Sequence, residues 1–170
     1  MKKAFALFLL VLLVGSSFLS CEKDDICAEG TPTTPNVVIR FFRSDNTSVL
    51  NPVSNFKYYV EGMTDTITIT ASTDSIRVPL RVDATQVKWG FILRQTGTGG
   101  TTRNTDYLTF DYTKQQTYVS RACGYKTTFN LTEDPVQTDA PGENTLWIDE
   151  VEVKKYNIED ENERHISIYY

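Results

Sequence analysis

Beyond an apolar run at its start, this chain alternates. From Asn36 onward hydrophobic side chains recur at almost every second position, the period of strands with one face on a core. Val37, Ile39 and Phe41 alternate with Val38, Arg40 and Phe42, and Ser44-Asp45-Asn46 turns the chain. Phe56, Tyr58 and Val60 alternate with Lys57, Tyr59 and Glu61 up to Gly62. Thr66-Ile67-Thr68-Ile69-Thr70 predicts a strand with isoleucines inward and threonines outward. Ile76, Val78, Leu80 and Val82 form the next inward row, and Pro79, which lacks a donor, puts it at a sheet edge or bulge. Val87, Trp89, Phe91 and Leu93 make the most apolar face, and Gly97-Thr98-Gly99-Gly100 reads as a loop. Leu108, Phe110 and Tyr112 follow, then 118–122; Cys123, Tyr125, Thr127, Phe129 and Leu131 keep one phase. Residues 134–144 predict a long polar loop, and 145–157 and 164–170 the last strands, joined by an acidic turn at 159–163. Between Ile148 and Val151 the phase slips, which predicts a bulge near Asp149-Glu150.

No stretch after residue 25 sustains a helical period. About nine strands with polar turns predict an all-β fold, an antiparallel β-sandwich of immunoglobulin-like or related Greek-key type. Trp89 in a central strand and Cys123 in a later one match the immunoglobulin pattern in architecture only, because Cys27 lies outside the sandwich.

The N-terminus follows another pattern. Lys2 and Lys3 precede an apolar run at 4–14, enough to engage a secretion channel but short of the ~20 residues that span a bilayer. Leu19-Ser20-Cys21 resembles the end of a bacterial lipobox, with Phe18 where leucine is usual. The resemblance implies cleavage before Cys21 and lipid on its sulfur, a near-permanent membrane anchor at ~0.8 kcal/mol per buried methylene. An ordinary secretory signal with Cys21 left free is the alternative. Glu22-Lys23-Asp24-Asp25 resembles the Bacteroidota lipoprotein export signal, in which Lys23, Asp24 and Asp25 would direct the protein to the cell surface. A periplasm-facing anchor on the outer membrane is the other outcome. The organisation expected is a signal peptide at 1–20, a lipidated Pro/Thr tether at 21–36 and one β-sandwich domain at 37–170.

Composition narrows the partners. The formal charge is −5, and removing 1–20 takes Lys2 and Lys3 but no acid, leaving −7. Nucleic acid, which demands a basic stripe, is excluded as a partner, and anionic headgroups are disfavoured, so the lipid carries membrane attachment. With Cys21 lipidated, Cys27 and Cys123 remain. In an exported chain an even pair reads as a disulfide, closing a loop of roughly 95 residues worth on the order of 4 kcal/mol in the chain-entropy model. Two free thiols is the alternative.

Chemistry is sparse. The sole histidine, His165, shares a strand face with Ser167 and Tyr169 and reads as a surface side chain on a terminal strand. One His and two bonded Cys disfavour zinc, and nothing implies a cofactor or a catalytic residue; an enzyme is not expected. The 159–163 run could offer calcium oxygens but lacks the spaced pattern of a dedicated loop, so a solvated turn is expected. Tyr59, Tyr107 and Trp147 are candidate binding aromatics for a glycan or protein, against the alternative of cross-strand pairing. Asp65-Thr66-Ile67 and Asp74-Ser75-Ile76 resemble the Bacteroidota O-glycosylation acceptor motif at Thr66 and Ser75, or are polar strand entries.

Cys-Glu-Lys-Asp-Asp-Ile-Cys at 21–27, Thr-Pro-Thr-Thr-Pro at 31–35 and Ser-Arg-Ala-Cys-Gly-Tyr at 120–125 together resemble a family of small Bacteroidota outer-membrane lipoproteins of unknown function. The resemblance implies two retained cysteines beyond the lipidated one and brings no activity with it. The expectation is therefore an envelope lipoprotein that binds an unidentified protein or stabilises an assembly, with a carbohydrate-binding accessory module as the alternative.

Overall fold

Alternation becomes strands along most of the chain. The computed structural model describes residues 26–97, 100–142 and 145–170, which fall into two units. Residues 26–31 with Tyr118–Tyr125 form the first, and Pro32–Thr117 with Lys126–Tyr170 the second. The strands are β1 (Val37–Phe42), β2 (Phe56–Val60), β3 (Thr66–Ile69), β4 (Ser75–Val78), β5 (Gln86–Gly97), β6 (Gly100–Ser120), β7 (Gly124–Leu131), β8 (Val136–Asp139), β9 (Glu150–Val153), β10 (Asn157–Ile158) and β11 (Ile166–Tyr169). No helix occurs among the described residues.

The strands make an all-β sandwich of two sheets, one ordered β4-β1-β11-β9 and one ordered β10-β7-β6-β5-β2-β3, with β8 also on β6. The pair β1–β11 is parallel, with Ile39 opposite Ile166 and Phe41 opposite Ile168. The other registers described are antiparallel. The core lies between the sheets. Ile39, Phe41, Ile166 and Ile168 from one side meet Phe56, Phe91, Leu108, Phe110 and Phe129 from the other. The β4 strand is an edge and stops at Val78, just before Pro79, as a residue without a donor requires. The Pro79 carbonyl instead accepts the Trp89 indole N–H at 3.2 Å.

Several expectations change. Among the described residues there are eleven strands, against about nine expected. The β8 strand lies inside the expected polar loop and pairs with 106–109 of β6; it carries one apolar residue, the exposed Val136, so no alternation marks it. Residues 145–149 are not strand, and no bulge is needed there, because β9 begins at Glu150. Ile67 is 42% exposed, because β3 is the edge of the larger sheet, where four opposing strands cannot cover seven. In β1, Val38 and Phe42 are buried on the face expected to be polar. The Phe42 ring lies against Tyr169 at 5.7 Å and under the Arg164 guanidinium at 4.8 Å.

Candidate functional site

Cys21, Lys23, Asp24, Asp25 and the signal at 1–20 lie outside the described residues. Among the described residues of the first unit, a Cys27–Cys123 disulfide bridges 96 positions. Gly30, at φ 82°, lets a tight turn form there, and both the backbone N–H and the hydroxyl of Thr31 donate to the Ala28 carbonyl. On the other side, the Cys123 N–H donates to the Ser120 hydroxyl at 3.0 Å. Tyr118 and Tyr125 of this unit form an edge-to-face pair at 5.4 Å and stay 57% and 66% exposed.

The candidate binding aromatics are not a platform. Trp147 is 6% exposed and packs edge-on against Phe56 and Tyr170; its indole N–H donates to the Phe91 carbonyl at 3.0 Å. That is a core tryptophan, which corrects the expectation of a surface one. Tyr59 and Tyr107 do share the outer face. They sit at successive strands of one row, with Gly90 between them, and their hydroxyls hydrogen-bond at 2.7 Å. The missing side chain at Gly90 is filled by the two rings: a Cβ there would lie 2.7 Å from Tyr59 Cζ and 2.9 Å from Tyr107 Cε1. Lys88 caps the Tyr107 ring at 4.4 Å and pairs with Glu61 at 2.8 Å. This is cross-strand pairing across a glycine.

His165 is a further correction, because it is fully buried. Its backbone N–H donates to Val38 O at 2.9 Å, and its Nδ1 accepts the Val38 N–H at 3.0 Å. The ring thus supplies one ladder acceptor just before the parallel pairing of β1 with β11 begins. Accepting at Nδ1 places the proton of the neutral ring on Nε2. Burial, then Lys155, pushes its pKa below the ordinary value, opposed by the charges of Asp160, Glu161 and Glu163. The 159–163 run is not merely solvated either. Glu161 accepts the backbone and side-chain N–H of Asn36 at 2.9 and 2.7 Å, and Arg77 Nε at 2.6 Å. Thr66 is exposed at the start of β3; Ser75 is half-buried at the start of β4.

The sequence reading missed Asp106. It occupies the inward phase of β6 shared by Leu108, Phe110 and Tyr112, and it is fully buried. Its Oδ2 accepts the N–H groups of Trp147 and Ile148 at 2.9 and 2.8 Å, while Gln137 Nε2 lies 3.5 Å away. Gln137 donates to Ile148 O at 2.7 Å, and Asn104 Nδ2 to Thr145 O at 2.6 Å. Three inward polar side chains therefore hold the 145–148 backbone, which explains why no ladder is needed there. Burial pushes the Asp106 carboxyl up to about 6 against the two backbone donors, and the Asp139 charge adds to the rise. A carboxylate in the apolar phase of a strand was the available signal.

A polar cavity of about 320 Å³ is lined by Thr113, Gln115, Thr128, Asn130, Asn157 and Glu159; the aromatic beside it, Phe129, is 1% exposed. Among the described residues no three His, Cys, Asp or Glu side chains cluster to hold a metal. In comparison with known proteins, a family model described as a family of unknown function (DUF6452) matches residues 53–170. No curated protein and no solved structure matches the chain.

Proposed function

Since the chain belongs to this family of unknown function, we propose that it is a lipid-anchored envelope lipoprotein, its β-sandwich acting as a non-enzymatic protein-binding or structural module at the outer membrane. The observation that carries the reading is cysteine usage. Three cysteines are present, and the pairing of Cys27 with Cys123 leaves Cys21 as the remaining thiol, directly after an apolar leader. A disulfide also fits an oxidising compartment. Residues 22–26 are all that separate Cys21 from the bonded Cys27, a span of at most about 20 Å, so the acyl chains hold the cystine near the bilayer. Lys23, Asp24 and Asp25 lie in that span and favour export to the cell surface over a periplasm-facing anchor. Thr66, exposed at a strand entry, is the better placed of the two candidate O-glycosylation hydroxyls.

Fractionation and shaving test this. Cys21→Ala releases the protein from washed membranes, and persistence there would refute lipid anchoring. Alanine at Lys23, Asp24 and Asp25 together abolishes protease shaving on intact cells; unchanged shaving means the export resemblance is coincidence.

A second reading, a carbohydrate-binding accessory module, loses Trp147. The exposed Tyr118–Tyr125 pair favours what remains of it. Glycan binding that disappears in Tyr118→Ala/Tyr125→Ala would establish that reading, and its absence from a broad glycan array would remove it.

A further inference from the structure

Asp106 has a second oxygen. While Oδ2 takes two backbone N–H groups, Oδ1 is buried and has no hydrogen-bond partner. Two residues away on the same face of β6, Asn104 Oδ1 is also buried and unpartnered. The Asn104 amide cannot be turned around to cure this, because its Nδ2 must face the Thr145 carbonyl, which only accepts. Directly opposite Asp106 in the β6–β8 register stands Asp139. Directly paired residues of an antiparallel ladder project from one face with Cβ atoms roughly 5 Å apart. Asp139 spends one carboxylate oxygen on the Ala140 N–H at 2.8 Å. Among the described residues, no lysine, arginine or histidine pairs with either carboxylate.

Two buried acceptor oxygens, Asn104 Oδ1 and Asp106 Oδ1, therefore lack a donor on the face where the Asp106 and Asp139 carboxylates are directly opposed. Orphaned buried acceptors are destabilising, and so are directly facing carboxylates. A hard cation resolves both at once. We infer that Asn104, Asp106 and Asp139 form a calcium site at the end of the sandwich core, which joins β6 to β8 and supports the 145–148 segment. Calcium accepts irregular sets of oxygen ligands, whereas magnesium demands near-ideal octahedral geometry and dehydrates reluctantly. Asp139 is half-exposed, so water completes the shell from its side. Two carboxylates and one amide oxygen on a fixed ladder predict a Kd of about 0.1–1 mM, the range of extracellular calcium modules.

The test uses the full-length, disulfide-intact chain in detergent, stripped with chelator at neutral pH. Calcium added to about ten times Kd raises Tm by roughly 3–6 °C, and magnesium at the same concentration gives a smaller shift. Calcium also slows hydrogen exchange at the Trp147 and Ile148 amides. Asp106→Asn removes the response, but Asp106 also anchors backbone, so Asp139→Asn is the cleaner variant: it folds and loses the calcium shift. No calcium shift in the wild-type chain overturns the inference, as does an undiminished shift in Asp139→Asn. Stability that rises on acidification while ignoring calcium assigns the space to a proton on Asp106 and also overturns it. None of these outcomes touches lipid anchoring, which is read on Cys21.

Discussion

Gly90 carries more than its side chain suggests. It leaves room for Tyr59 and Tyr107 to meet over the backbone, and adding one methyl there displaces rings that are bonded to each other. Gly90→Ala is expected to destabilise the domain by about 1–3 kcal/mol, read from denaturant midpoints. The loss should shrink when Tyr59 is also Ala, because the obstructing ring is then gone; an equal loss in both backgrounds would place the strain elsewhere. The outer-face placement of these tyrosines was legible from alternation. Their pairing was not, because the register that puts Gly90 between them involves strands separated along the chain. His165 was misread for a related reason. A strand's alternation does not reveal that a ring nitrogen stands in for a ladder carbonyl. Its folded pKa lies below the ordinary value of about 6.5, so the unfolded chain takes up the proton first. Stability from this group is complete above about pH 6.5 and falls as pH drops below it. His165→Gln, whose amide oxygen can accept from Val38, is expected to lose that acid sensitivity in paired pH titrations. The wild-type minus variant difference separates it from Asp106, whose shift has the opposite sign.

Segment 145–148 shows what periodicity can and cannot do for an element. Two of its three apolar residues, Trp147 and Ile148, are in the core while Leu146 is exposed, and the phase slip reflects not a bulge but a stretch held by side chains of β6 and β8. Asp106→Ala leaves the Trp147 and Ile148 N–H groups without their acceptor. Amide exchange at those residues is expected to accelerate by roughly 5- to 150-fold, from a loss of about 1–3 kcal/mol, while Ile39 and Phe41 in β1 remain protected. Uniform acceleration throughout the sandwich would mean that the segment is not a separate unit of stability. The same limit hid β8, which carries one apolar residue and is held by pairing with β6. In contrast, β5 and the 108–112 part of β6, with clean inward rows, were legible directly. The acidic turn shows the converse: composition marked 159–163 as solvated, whereas Glu161 reaches Asn36 and Arg77.

At the scale of the whole molecule, the sandwich class followed from strand number, alternation and the lack of any helical period. The cystine followed from counting cysteines in a chain whose N-terminus reads as an export signal. Cys123→Ser opens a loop of 96 positions and is expected to lower stability by about 4 kcal/mol in the chain-entropy model. Equilibrium unfolding with and without reductant checks this, since reductant should weaken the wild-type chain and leave the variant unchanged. Function was far less legible. Family membership covers 53–170 and supplies no activity, so the functional reading rests on the N-terminus. Its central claim is that Cys21 is the first residue of the mature chain and carries lipid. Mass spectrometry of the N-terminal peptide from native membranes tests it most directly. The account predicts a peptide beginning at Cys21 with the added mass of a diacylglyceryl group; a peptide that begins elsewhere, or an unmodified Cys21, would contradict it.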